Sequence, residues 1–158
     1  MEEGLRLWAA AMRSVHRQRP WLTRLPVTGP PAGPHRIAWM EAALAVLART
    51  PLDWAHKIGA LSLLGGYVVQ AVLQEHEFAR SRAEDQSQAD AEHAWSRALA
   101  HLVDPERFPE SARLFASAMF DAREADAPPD SSLADADFST GLELILDGIA
   151  TRIEHATP

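Results

Sequence analysis

Apolar side chains recur with a helical period almost from the first residue. Between Glu2 and Arg17, Leu5, Trp8, Ala9, Met12, Val15 and His16 fall at i, i+3, i+4, i+7 spacing, which predicts an amphipathic helix. Pro20 stops it, because proline lacks the N–H that a helix interior needs. Arg19 to Pro34 (RPWLTRLPVTGPPAGP) then holds five prolines and two glycines. That composition predicts an extended connection with one short turn around Trp21 to Leu25. From His35 the pattern restarts, with Ile37, Met40, Ala43, Leu44 and Leu47 forming a second stripe that ends near Thr50. Thr50 as a cap and Pro51 in a first turn predict the start of the next helix. Asp53 adds a favourable charge at its positive end. This helix is expected to run to about Arg82, and from Ile58 to Leu73 it is apolar on nearly every face. A helix of that kind must be covered all round. In a small domain, one side can pack on its own core and another must meet something else.

The second half continues in the same way. Ala91 to Val103 carries Trp95, Ala98, Leu99 and Leu102 on one face, and Asp104-Pro105 ends it. Pro109-Glu110 opens a further helix with Phe108, Ala112, Phe115, Met119 and Ala122 in register, and Asp126 to Asp135 reads as a loop. Phe138, Leu142, Ile145, Ile149 and Ile153 give a closing helix to about His155. No period-2 alternation occurs, so the fold class predicted is all-α with about six helices. The closing helix has a second smooth edge, Gly141, Leu144 and Gly148. Two apolar faces on a terminal helix, with the all-round apolar central helix, predict a homodimer through a four-helix bundle, two helices from each subunit. The partner-facing residues are expected to be Leu64, Val68, Gly141, Leu144, Ile145 and Gly148.

Composition narrows the classes. At 158 residues, 47% apolar and 23% charged, the chain is expected to form one globular domain over residues 1–158. It has no cysteine, which removes disulfides, thiolate metal sites and Cys nucleophiles. A net charge of −7 argues against this chain gripping a phosphate backbone by itself. The start, MEEGLRLW, has no signal-peptide pattern, and the Ile58–Leu73 run is short for a membrane span. A cytoplasmic protein with no membrane partner is expected.

Candidate chemistry is sparse. His76 lies between Glu75 and Glu77, and His93 follows Asp90 and Glu92, but no His-x₃-His or HExxH pair exists. No GxSxG and no phosphate-cradling glycine loop accompanies them, so neither a metal nor a catalytic residue nor a cofactor is assigned. Ser62, Gly65, Gly66 and Val69 form a small-residue strip in the central helix. It serves either close helix packing or open volume for a ligand. Trp8 and Met12, with Trp39 and Ala43, are either plain core or the wall of an apolar effector cavity. Together these eight residues are the candidate ligand site. His16 is read as a hydrogen-bonded core histidine, with a polar ligand anchor as its alternative.

Three stretches in order carry a resemblance: RPWL into the Pro/Gly-rich connection and GPHRIAWMEAALAVL, then GGYVVQAVLQEHEF, then DFSTGLELILDGIATRI. Together they resemble the C-terminal regulatory domain of the tetracycline-repressor (TetR/AcrR) family of bacterial transcription regulators. The resemblance implies a ligand-sensing and dimerisation domain of a repressor, with a small molecule bound between the first, second and central helices; the apolar candidate walls suit a hydrophobic or aromatic one. Family members carry a helix-turn-helix DNA-binding domain before this region. None is expected in this chain, so operator DNA would be reached only through a domain absent here. Two alternatives come from other classes: a small helical enzyme or metal-binding bundle using the histidines, and a ligand-free dimeric interaction module.

Overall fold

The computed structural model describes residues 1–25, 33–81, 88–117 and 133–156. Among them six α-helices and one 3₁₀ turn follow in order: α1 (Glu2–Gln18), the turn Pro20–Arg24, α2 (Pro34–Leu47), α3 (Trp54–Ser81), α4 (Gln88–Leu102), α5 (Pro109–Phe115) and α6 (Leu133–Ala156). No strand occurs among the described residues, and the fold is all-α. The closing helix starts at Leu133, inside the stretch expected as a loop. Met119, Ala122 and residues 126–132 lie outside the described residues.

The contacts divide the chain into two compact units, Met1–His76 with Phe138–Pro158, and Glu77–Asp137. In the first unit, Leu5 and Ala9 of α1, Leu47 of α2, Leu64 and Val68 of α3, and Phe138, Leu142, Leu146 and Ile149 of α6 form one buried cluster. Burying a side chain of this size contributes about 1.5–3 kcal/mol. Leu146, not Ile145, is the fully buried residue of α6; Ile145 is half-buried at the cluster's edge. In the second unit, α4 and α5 meet through a T-shaped pair, Trp95 and Phe115, with ring centroids 6.4 Å apart. Asp104 sets the turn between them, its carboxylate accepting from the Glu106 N–H at 2.9 Å and its carbonyl from the Phe108 N–H at 2.8 Å.

The start of α3 differs from the expected one. Asp53 is the cap: its carboxylate accepts from the His56 N–H at 2.8 Å, three residues into the helix. The Thr50 hydroxyl instead donates back to the Leu47 carbonyl at 2.8 Å and closes α2. Leu52, in the non-helical stretch just before this helix, is buried at 6% exposed.

Three ion pairs at two sites tie α1 to the rest of its unit. Near its start, the Arg6 guanidinium grips Glu143 of α6 with two parallel bonds of 2.8 Å. Near its end, Arg13 and Arg17 both donate to Glu75 of α3, through their Nε at 3.0 and 2.8 Å. Arg13 is 8% exposed and lies over the Phe138 ring, 4.1 Å from its centroid.

Two of these contacts depress carboxylate pKa values. The Arg6 fork lowers that of Glu143, and the backbone N–H of His56 followed by its ring lowers that of Asp53. A folded-state pKa below the unfolded one gives stability that is present above the ordinary carboxylate range and lost as pH falls through the folded value. Asp53→Asn and Glu143→Gln should therefore melt below the wild type at pH 7, and the gap should narrow as pH falls below the ordinary carboxylate range and the wild type loses the same interactions. A gap that persists in acid, measured by circular dichroism melts, would show that neither charge contributes.

Candidate functional site

Four of the eight candidate ligand residues meet one another. Trp8 lies edge-on to Trp39, with centroids 6.0 Å apart, and its indole N–H donates to the Trp39 carbonyl at 2.9 Å. This bond crosses from α1 to α2 and fixes the ring's tilt. Gly65 completes the wall from α3: a Cβ there would lie 3.8 Å from the Trp8 ring and 3.9 Å from the Met12 methyl. Trp8, Met12, Trp39 and Val69 are half-buried, while Ala43 is fully enclosed one turn after Trp39.

Ser62 and Gly66 stand elsewhere. Both are exposed, and a Cβ on Gly66 would meet nothing within 4 Å. Each residue turns a helix by about 100°, so Gly66 points well away from Gly65. The strip read from the sequence straddles the edge between the buried and open faces of α3. Its two outer members leave the ligand wall.

They belong instead to an open face that runs along α3 beside α6. Ala55, Gly59, Ser62 and Gly66 follow it at helical spacing and are all exposed. Ala55 and Gly59 also line a groove of about 590 Å³, together with His56, Ala60 and Leu63 of α3 and Leu144, Gly148 and Arg152 of α6, among others. Leu63 is 57% and Leu144 70% exposed, large values for leucines inside long helices. Of the most apolar 18-residue window of α3, only 17% is buried within the chain. By length and composition alone this helix could cross a membrane.

The expected partner-facing residues divide in the same manner. Leu144, Gly148 and Ile145 line the groove. Leu64 and Val68 are 1% and 0% exposed and belong to the core, so they offer a partner no surface. Their neighbour Leu63 does. Gly141 faces inward beneath Tyr67, whose hydroxyl and ring atoms occupy the space a Cβ would need. That hydroxyl donates to the Phe138 carbonyl at 2.9 Å, and the two rings stack at 5.5 Å.

Sequence reasoning missed Leu63, His56 and Arg152 on the groove, and Arg13 with Glu75 in the interior. The helical spacing of the small residues Ala55, Gly59, Ser62 and Gly66 was the signal for the groove. Arg13 gave none, since its acceptor lies 62 positions away. Arg13 also lines a smaller crevice of about 350 Å³ with Ser14, Arg17 and Phe138. His16 donates from Nδ1 to the Met12 carbonyl one turn back, at 2.8 Å, and is half-buried.

A helical unit with an aromatic wall on one side and an uncovered apolar face on the other has the parts of a ligand-binding, self-associating regulatory domain. Residues 1–153 match the sequence model of a family described as "Tetracyclin repressor-like, C-terminal domain". The chain belongs to that family, as the ligand-binding and dimerisation domain of a TetR-family regulator. Domains of this family typically dimerise and bind small-molecule effectors. No curated protein matches the chain.

Proposed function

We propose that this domain is the effector-sensing half of a cytoplasmic repressor, works as a homodimer, and binds a small hydrophobic or aromatic molecule. Residues 1–158 form one such sensing and dimerising domain, and operator DNA is bound through a helix-turn-helix domain of the family kind. No residue of this chain is assigned to DNA, catalysis, a metal or a cofactor. The observation that carries the reading is the uncovered α3–α6 face on a chain of this family. It is apolar, lined by small residues, and suited to a second copy of the same two helices.

The effector is assigned to the wall formed by Trp8, Met12, Trp39, Ala43, Gly65 and Val69. Its two indoles and one thioether suit an apolar or aromatic frame. Trp8 and Met12 sit on α1, the same helix that is tied to α6 through Arg6 and to α3 through Arg13. A ligand that displaces this wall pushes on α1 and so on the spacing of two DNA-reading domains, which must match half-sites about 34 Å apart. Coupling of this kind is typically about 1–3 kcal/mol.

Toluene tests the wall directly. Titration should change the fluorescence of Trp8 and Trp39 saturably in the wild type. In Gly65→Leu, whose side chain would occupy the space before Trp8 and Met12, the response should vanish while a cooperative melt remains. Gly66→Leu, facing outward, should keep it. An equal response in all three proteins would place the ligand elsewhere.

A further inference from the structure

The groove between α3 and α6 is apolar along most of its length and polar at one end, where His56 and Arg152 line it. The two helices run in opposite senses. Tyr67 rests on Gly141, while His56, eleven residues earlier, shares the groove with Arg152, eleven residues later. Arg152 is exposed and makes no hydrogen bond or ion pair among the described residues. In the proposed dimer this end of the groove is covered, and a guanidinium covered by protein needs an acid.

Few acids can serve. Asp147 and Glu154 lie about 140° and 160° round α6 from Arg152, and Glu143 is turned to Arg6. Glu75 and Glu77 stand about five turns or more along α3 from His56, and Asp135 and Asp137 about four turns or more along α6 from Arg152. Asp53 remains. It caps α3 at the same end of the groove, and its side chain is 65% exposed. The backbone N–H and the ring of His56 both bond its Oδ1, which leaves Oδ2 for a further donor. The symmetry of the dimer brings the two groups together. Two DNA-reading domains on neighbouring half-sites of one duplex lie at the same end of a dimer, so its two-fold axis runs along the helices. About such an axis, α3 of one subunit faces α6 of the other at equal height. The end that holds Asp53 and His56 then meets the end that holds Arg152.

We infer that Arg152 pairs with the partner subunit's Asp53, so that two symmetric ion pairs close this end of the bundle. The inference rests on the proposed dimer and specifies its orientation. A two-fold axis across the helices would set α3 against α3 and α6 against α6, and would carry Arg152 away from Asp53.

Charge reversal tests the pairing. Dimer dissociation constants are measured by sedimentation equilibrium for the wild type, Arg152→Glu, Asp53→Lys and the double variant. Each single reversal should weaken the dimer about tenfold or more, since it sets like charges together at two sites. The double variant should recover most of that loss. Asp53 also caps α3, but the cap is missing from Asp53→Lys and the double variant alike. A double variant that dimerises more tightly than Asp53→Lys therefore reports the restored pairing and not the cap. Losses that add in the double variant, or an Arg152→Glu dimer as tight as the wild type, would overturn the pairing while the dimer stands. A monomeric wild type would remove the dimer itself and the pairing with it.

Discussion

Gly141→Ala is expected to destabilise the domain by about 1–3 kcal/mol, although alanine is the better helix former. The added methyl would meet the Tyr67 ring, with Cζ 2.7 Å and Cε2 2.9 Å from the Cβ position. A long flexible side chain could swing aside at little cost. Tyr67 cannot, because its hydroxyl is bonded to the Phe138 carbonyl and its ring is stacked on the Phe138 ring. Moving it gives up the bond, the stacking or both. For a chain of this length, each kcal/mol lowers the melting temperature by about 2–4 °C. With both variants placed in the Leu144→Arg background, which removes the proposed interface, Gly148→Ala is the matched control, since a Cβ there meets nothing within 4 Å of this chain. If both variants melt alike, Tyr67 does not rest on Gly141.

Leu144→Arg is expected to leave the isolated fold intact and abolish self-association. Leu144 is 70% exposed, so an arginine there remains in water in a single chain and costs that chain little. In a bundle of α3 and α6 with their copies, the same charge would be buried, and an unpaired buried charge costs several kcal/mol. That is a loss of a thousandfold or more in association. Leu63→Arg, across the groove, should act in the same way, whereas Leu64→Arg should unfold the chain because Leu64 is 1% exposed. Sedimentation velocity separates the three outcomes. Dimers of undiminished affinity for both Leu144→Arg and Leu63→Arg would place the interface on another face.

The fold was largely legible because its stripes are well contrasted. In α1, Leu5, Trp8, Ala9 and Met12 keep the i, i+3, i+4, i+7 spacing, with Glu2, Glu3, Arg6 and Arg17 off the buried face, and one register of burial fits them. Legibility failed where consecutive residues are equally apolar or equally small. Leu63 and Leu64, Gly65 and Gly66, and Ile145 and Leu146 each offer two candidates for one position. A helix turns by about 100° between them, so choosing the wrong member moves a side chain from core to surface. Burial in the folded unit decided each case, in favour of Leu64, Gly65 and Leu146 for the interior.

The candidate site suffered from the same ambiguity, which is why Ser62 and Gly66 exchanged the ligand wall for the open face. Gly141 failed for a different reason. Its glycine answers a tyrosine 74 positions earlier, a relation that no local pattern contains. The second apolar edge of α6 was nevertheless readable through Leu144 and Gly148, and it marks the surface on which the functional reading depends.

The most direct test of that reading is the mass of the wild-type chain in solution. Multi-angle light scattering at tens of micromolar should give twice the chain mass of 17.3 kDa. A single-chain mass under those conditions would leave the α3–α6 face uncovered and contradict the account of this domain as a dimeric sensor.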